Sequence, residues 1–195
     1  TSVNLPLPEG DSEPRGDVIA VDIDAGLHAG IDALAARTGT SMFMVLQAAL
    51  ASVLTKAGAG TDLPIGSLVA GRSDPRLEPM IGSFFNVVLL RTDTSGSPTF
   101  AELLARIREN NLEALSNQDV SYVYVEQALG NPASMRPQVM VIHHQQADLD
   151  GLGDFGSLVP IPVGGPHAGA TLSFYEPVGD GPVFATLGFR ADRVD

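Results

Sequence analysis

The chain has 195 residues, enough for one domain or one lobe of a larger one, and its 44% hydrophobic content is that of a globular fold. Its formal charge is −12, from 23 acids against 11 bases, and Lys56 is the only lysine; phosphate neutralisation needs clustered Lys and Arg, so nucleic acid is excluded as a partner. With no cysteine there is no disulfide, thiol nucleophile or thiolate metal site, which agrees with a cytoplasmic setting. The longest apolar stretch, Met42 to Leu54, contains Gln47 and is too short to span a bilayer. No basic-then-apolar leader opens the chain, and no membrane partner is expected. Residue 1 is Thr, which suggests a piece cut from a longer protein.

Residues 1–17 mix Pro6, Pro8, Pro14, Gly10 and Gly16 with acids and read as a lead-in or linker, leaving 18–195 as the folded part. Val18–Ile23 alternates apolar and polar residues as a strand does. Leu27, Ile31, Leu34 and Ala35 fall at helical spacing, and Gly39 closes that helix. Ser41 suits the N-cap of a second helix whose side chains are apolar nearly all round, the mark of a buried helix. Leu63–Val69 and Phe85–Arg91 are strands separated by a loop with Pro75 and Pro79. Thr99 and Glu102 form a capping box, and Phe100, Leu103, Leu104, Ile107 and Leu115 make the apolar stripe behind it. Tyr122, Val125 and Leu129 fit a short helix, although periodicity alone leaves a strand open there.

Gln138–His143 is a strand, and residues 145–169, rich in Gly, Pro and Asp, form a long loop of the kind that functions or reaches a partner. Ala170–Tyr175 and Val183–Phe189 are strands joined around Gly179-Asp180-Gly181, a hairpin turn. Strands mixed with helix pairs give an α+β fold, a sheet with helices packed on one face.

The segment Ile81-Gly82-Ser83-Phe84-Phe85-Asn86-Val87-Val88-Leu89-Leu90-Arg91 is a glycine turn, an apolar strand holding one amide, then an arginine. It resembles the Ile-Gly-x-Phe-Val-Asn-Thr-x-x-x-Arg motif of the condensation domains of nonribosomal peptide synthetases, departing at Phe85 and Val87. In the same order, Met44–Leu50 is similar to the family's buried helix and Pro64–Arg72 to its strand ending in Ala-Gly-Arg. Pro98–Leu104 is similar to its next helix start. Asn117-Gln118-Asp119-Val120-Ser121-Tyr122 resembles Gln-Asp-x-Pro-Phe, with Ser121 for Pro and Tyr122 for Phe, and Arg136–Met140 resembles a shortened Arg-x-Pro-Leu-Phe-Gln-Val. All belong to the C-terminal half of a condensation domain and together cover residues 18 to 142.

The resemblance implies the chloramphenicol-acetyltransferase-like fold, a two-layer sandwich with a mixed sheet, of which this chain is the C-terminal subdomain and the N-terminal subdomain is the missing partner. It implies a tunnel between two such lobes where an aminoacyl amine attacks a peptidyl thioester. Both substrates ride on phosphopantetheine arms of carrier proteins, so no cofactor is bound directly. Gly82, Phe84, Asn86, Gln118 and Asp119 are then the tunnel or lobe-interface residues. The catalytic histidine motif belongs to the missing lobe, so the isolated lobe is expected to be inactive. Two alternatives accompany this reading: a degenerate, non-catalytic docking module for a partner enzyme or carrier protein, and a lobe of a coenzyme-A-dependent, epimerising or cyclising relative.

Two sharper constellations compete with plainer readings. His143-His144-Gln145-Gln146-Ala147-Asp148 resembles the catalytic His-His-x-x-x-Asp-Gly, with His144 as the base and Asp148 behind it, but Leu149 replaces the Gly and the lobe is the wrong one. His143, His144, Asp148, Asp150, Asp154 and His167 are metal-ligand types, yet adjacent strand residues point to opposite faces and no known site spacing is matched, so no metal is expected. The plainer reading is a strand end with one imidazole inward and one outward. For Asn86, an amide pinning neighbouring backbone is the plain reading. For Asp119 it is a helix cap, and for Arg72 and Arg91 it is salt bridging within the lobe. There is no phosphate loop, nucleophile elbow or dinucleotide fingerprint.

Overall fold

The computed structural model describes residues 16–130, 137–145, 169–176 and 183–190. In chain order the elements are β1 (Gly16–Ile23), α1 (Ala25–Thr38), α2 (Met42–Lys56), β2 (Asp62–Val69), a 3-10 turn (Pro75–Leu77), β3 (Asn86–Asp93), α3 (Phe100–Ser116), α4 (Tyr122–Ala128), β4 (Val139–Gln145), β5 (Ala170–Glu176) and β6 (Val183–Arg190). The six strands form one mixed sheet in the order β1-β6-β5-β4-β2-β3. The pairs β2–β4 and β4–β5 are parallel, and the other three are antiparallel.

Local chemistry places each helix end. Asp24 accepts from the Leu27 amide to start α1, and Gly39, in the left-handed region at φ +64°, ends it. Ser41 accepts from Met44 to start α2, and the Thr99–Glu102 capping box opens α3 with both reciprocal bonds made. The Thr99 backbone and hydroxyl, both donating to Glu102, hold its carboxyl below the usual range.

Alternation along the strands sends Leu63, Ile65, Val139, Val141, Phe174, Val183 and Ala185 to one face. There they pack beneath α2, chiefly on Met42, Phe43, Leu46 and Leu50. Leu63, Ile65, Val141 and Phe174 are fully buried, each contributing roughly 1.5–3 kcal/mol by removal from water. A second core, Leu103, Leu104 and Ile107 against Ala35, Val45 and Ala48, fastens α3 to the α1–α2 pair. The sheet thus carries its helices on one side, as its pattern predicts. β1 starts two residues earlier than Val18, inside the segment read as a lead-in.

One polar cluster interrupts this core. Gln47, Thr92 and Asn111 are all buried. The Gln47 amide donates to Thr92 Oγ1 at 2.9 Å and accepts from Asn111 Nδ2 at 2.7 Å, tying α2, β3 and α3 together. Periodicity gave no hint of this: the α3 stripe predicts Leu115 as its last core position, whereas Asn111 is the buried residue there and Leu115 is only half-buried.

Candidate functional site

The strand ends at Val69 and Asn86 bound a loop, residues 70–85, that Arg72 folds back on itself. Its guanidinium donates to the Leu77 carbonyl, donates to the Gly82 carbonyl at 3.1 Å, and lies 4.5 Å over the Phe84 ring. The expected salt bridge at Arg72 is therefore replaced by two carbonyls and an aromatic face. Arg91 does form the expected pair, a bidentate contact to Asp62 at 2.6 and 2.7 Å across β2–β3. Gly71, at φ +65°, is required by packing as well as by conformation: a Cβ there would stand 1.8 Å from the Phe84 carbonyl oxygen.

Asn86 opens β3 and reaches across to the α3–α4 turn. Its Nδ2 donates to the Gln118 carbonyl at 2.8 Å and the Val120 carbonyl at 2.7 Å. Its Oδ1 accepts from its neighbour Val87 at 2.9 Å and from the Tyr122 amide at 3.1 Å. Tyr122 is the first residue of α4, and Ser121, although at the N-cap, makes no side-chain capping bond. Asn86 thus caps α4 from another element and satisfies its whole amide. Asp119 does not cap the helix, as the sequence suggests; it accepts instead from Ser73 Oγ at 2.9 Å and so ties the α3–α4 turn to the 70–85 loop. That link joins positions 46 apart in sequence, and no local pattern announces it.

These braces bring most of the expected residues together. Gly71, Phe84, Phe85, Asn86, Gln118, Asp119 and Ser121 line one small pocket of about 200 Å³. Gly82 stands one step outside, held by Arg72. Around the pocket in sequence stand exposed apolar side chains: Ile81 is 104% exposed, Phe85 64%, Val120 55% and Tyr124 71%. Exposed apolar side chains grouped in this way are the kind of surface that a partner covers.

The two histidines go elsewhere and part company. His143 faces the core and stacks on Phe174 with centroids 4.6 Å apart, while His144 faces the other side and stacks on Tyr175 at 4.3 Å. Burial, with a smaller contribution from His143, pushes the His144 imidazole below its ordinary value. Their divergence is the plain reading of a strand end, and it denies a shared ion to the pair. Asp148, Asp150, Asp154 and His167 lie outside the described residues, as does the Gly179–Gly181 turn. Among the described residues no group of three His, Asp or Glu side chains is placed to hold a metal. No single helix there is long and apolar enough to cross a membrane.

The profile of the family described as Condensation domain matches residues 3–147. The dimodular nonribosomal peptide synthase of Bacillus subtilis (strain 168) is 47% identical over 145 residues, covering 70% of this chain and 6% of that protein. Among solved structures, the X-domain from teicoplanin biosynthesis is 31% identical with a TM-score of 0.84, over 100% of this chain and 46% of that one. The complex of the X-domain and OxyB from teicoplanin biosynthesis contains a similar chain, 30% identical with a TM-score of 0.79, over 97% of this chain and 44% of that one. The chain therefore spans a little under half of those X-domain chains and a small part of the synthase. Its mixed sheet with helices on one face is the chloramphenicol-acetyltransferase-like arrangement, and the chain belongs to the condensation-domain family of nonribosomal peptide synthetases.

Proposed function

We propose that this chain is the C-terminal lobe of a condensation domain and supplies one wall of the site where amide bonds form between carrier-bound thioesters. In this reading an N-terminal lobe closes over the Ile81–Asn86 surface. An aminoacyl amine attacks a peptidyl thioester carbonyl in the tunnel between the lobes, and the upstream carrier thiol leaves. Both substrates hang from phosphopantetheine arms on carrier proteins, and the assembly works in the cytoplasm. The observation that carries this reading is the convergence of Phe84, Phe85, Asn86, Gln118 and Asp119 on one pocket, with Ile81, four residues before Phe85, fully exposed.

The lobe's own part is positional. A proton acceptor for an attacking amine works best near neutral pH, and the pocket offers only the Asp119 carboxylate, engaged by Ser73. His144 sits on the opposite face of the sheet from the helices and stacks on Tyr175. The base is thus assigned to the missing lobe. The test is a condensation assay, read by mass spectrometry, on the protein carrying both lobes. Dipeptide is expected from the pair, none from these 195 residues alone, and unchanged turnover from His144→Ala. Product from the isolated chain would refute the assignment.

The similarity to an X-domain found in complex with OxyB favours a second reading, in which this lobe docks a partner enzyme. Tight capture of a purified oxidase by the two-lobe protein, together with a broken His-His-x-x-x-Asp-Gly motif in the first lobe, would replace condensation with recruitment.

A further inference from the structure

A larger cavity, of about 520 Å³, opens at the same end of the sheet, on its helix-covered side: Ala70 lines it where Gly71 lines the smaller pocket, and Val88 where Asn86 does. Its walls are chiefly apolar, with Met42 and Met44 from the first turn of α2, Val88 from β3 and Leu115 from α3. No Asp, Glu, Lys or Arg lines it, and His143 is the titratable side chain in its wall. Sites for small ligands commonly run roughly 300–1,000 Å³ and combine such walls with a few polar groups.

One of those polar groups is unspent. Ser67 is only 5% exposed, sits opposite Val88 in the β2–β3 register, and lines the cavity. Among the described residues no hydrogen bond engages its hydroxyl. That hydroxyl is open to the cavity, where water or the polar atom of a ligand can meet it. Asn111, by contrast, is committed to Gln47. A ligand with an apolar body and one polar atom near Ser67 satisfies both features of the wall. A carboxylate meets no Lys or Arg there, so its desolvation goes largely uncompensated. The two methionines, unbranched and polarizable, let the wall adapt to groups of different length.

We propose that this cavity receives the apolar acyl or aminoacyl side chain of a thioester substrate, with the Ser67 hydroxyl hydrogen-bonded to a carbonyl or amide of that group. The substrate class rests on the condensation reading; the site itself rests on the cavity and Ser67. The test is calorimetric binding of N-acetylcysteamine thioesters to the protein with both lobes, comparing octanoyl, acetyl and succinyl groups.

Each buried methylene contributes about fourfold in affinity, so octanoyl is expected to bind more than tenfold tighter than acetyl, and succinyl no better than acetyl. Leu115→Trp, which fills the cavity, removes the octanoyl preference. Ser67→Ala weakens octanoyl binding by about three- to tenfold without lowering the melting temperature, because the hydroxyl has no protein partner to lose. A diazirine-bearing octanoyl probe crosslinks to the first turn of α2 or to α3. Equal binding of octanoyl and acetyl overturns the proposal. So do crosslinks elsewhere, and so does octanoyl affinity unaltered by Ser67→Ala. Should Leu115→Trp fail to fold, the serine variant and the crosslink decide. Octanoyl preference without amide formation sustains the site and refutes the condensation reading; amide formation with no length preference does the reverse.

Discussion

Replacing Asn86 with Ala removes one side chain and four hydrogen bonds: two donated to the Gln118 and Val120 carbonyls, and two accepted from the Val87 and Tyr122 amides. A net value of about 0.5–1.5 kcal/mol for each bond gives an upper range near 6 kcal/mol. Water reaches Gln118 and Val120, which are half-buried and exposed, and re-solvates part of what is lost. About 2–3 kcal/mol should remain, which for a domain of this size lowers the melting point by roughly 5–10 °C. The loss is local first. The Tyr122 amide, capped from β3, should exchange its hydrogen faster in Asn86→Ala, while core amides in β2 keep their relative order. Asn86→Asp is the sharper control. It keeps an acceptor for Tyr122 but points a carboxylate at two carbonyls, so it should be at least as damaging at pH 7 and recover partly as acid protonates it. Thermal melts and hydrogen exchange of the three proteins check this. An Asn86→Ala melting point within 1–2 °C of the parent would refute the claim that this amide holds the α3–α4 turn.

Gln47→Leu leaves Asn111 and Thr92 buried without their partner and should cost about 1–3 kcal/mol in urea denaturation; adding Asn111→Leu should recover part of it, since an apolar pair needs no partner. Gly71→Ala should prevent stable folding, because its Cβ meets the Phe84 carbonyl. Gly30→Ala, on the exposed side of α1 with nothing within 4 Å, should instead stabilise by about 0.5–1 kcal/mol; both are read from melting curves. His144 resists protonation in the folded chain, whereas the unfolded chain takes up a proton below about pH 6.5. Stability should therefore fall as pH drops through that value and level off below the folded pKa. His144→Phe should flatten this part of the profile.

Most of the secondary structure was legible because it is written in short-range chemistry. Ser41 and Thr99 start helices because they stand before apolar runs, and the alternation of Val18–Ile23 marks β1 as a strand. The resemblance placed Gly82, Phe84, Asn86, Gln118 and Asp119 in one region, and all but Gly82 line one pocket. What stayed illegible was any contact set by the tertiary fold. Asp119 has a capping residue's chemistry but found Ser73, 46 positions away, a closer partner than its own helix. Asn111 lies on a stripe that reads as apolar, yet Gln47 from α2 draws it into the core. Ser67 is an unremarkable serine until the cavity behind it is seen. The histidine pair shows the converse: the period of a strand was enough to separate His143 from His144.

The pairing of β1 with β6 has a consequence for how such a lobe is made and carried. Gly16 stands opposite Arg190, so the first and last described residues of the sheet adjoin at one end of the β1–β6 pair. A unit with neighbouring entry and exit can sit within a longer polypeptide without forcing its flanks apart. The same pairing is the most distant in the chain, and closing it demands that almost the whole lobe has emerged from the ribosome. Until then β1 has no neighbour in the sheet and β6 offers its free side to any other strand. The final closure of this sheet is thus a late folding event, and the interval before it is when a synthetase of many such units is most open to mispairing between them.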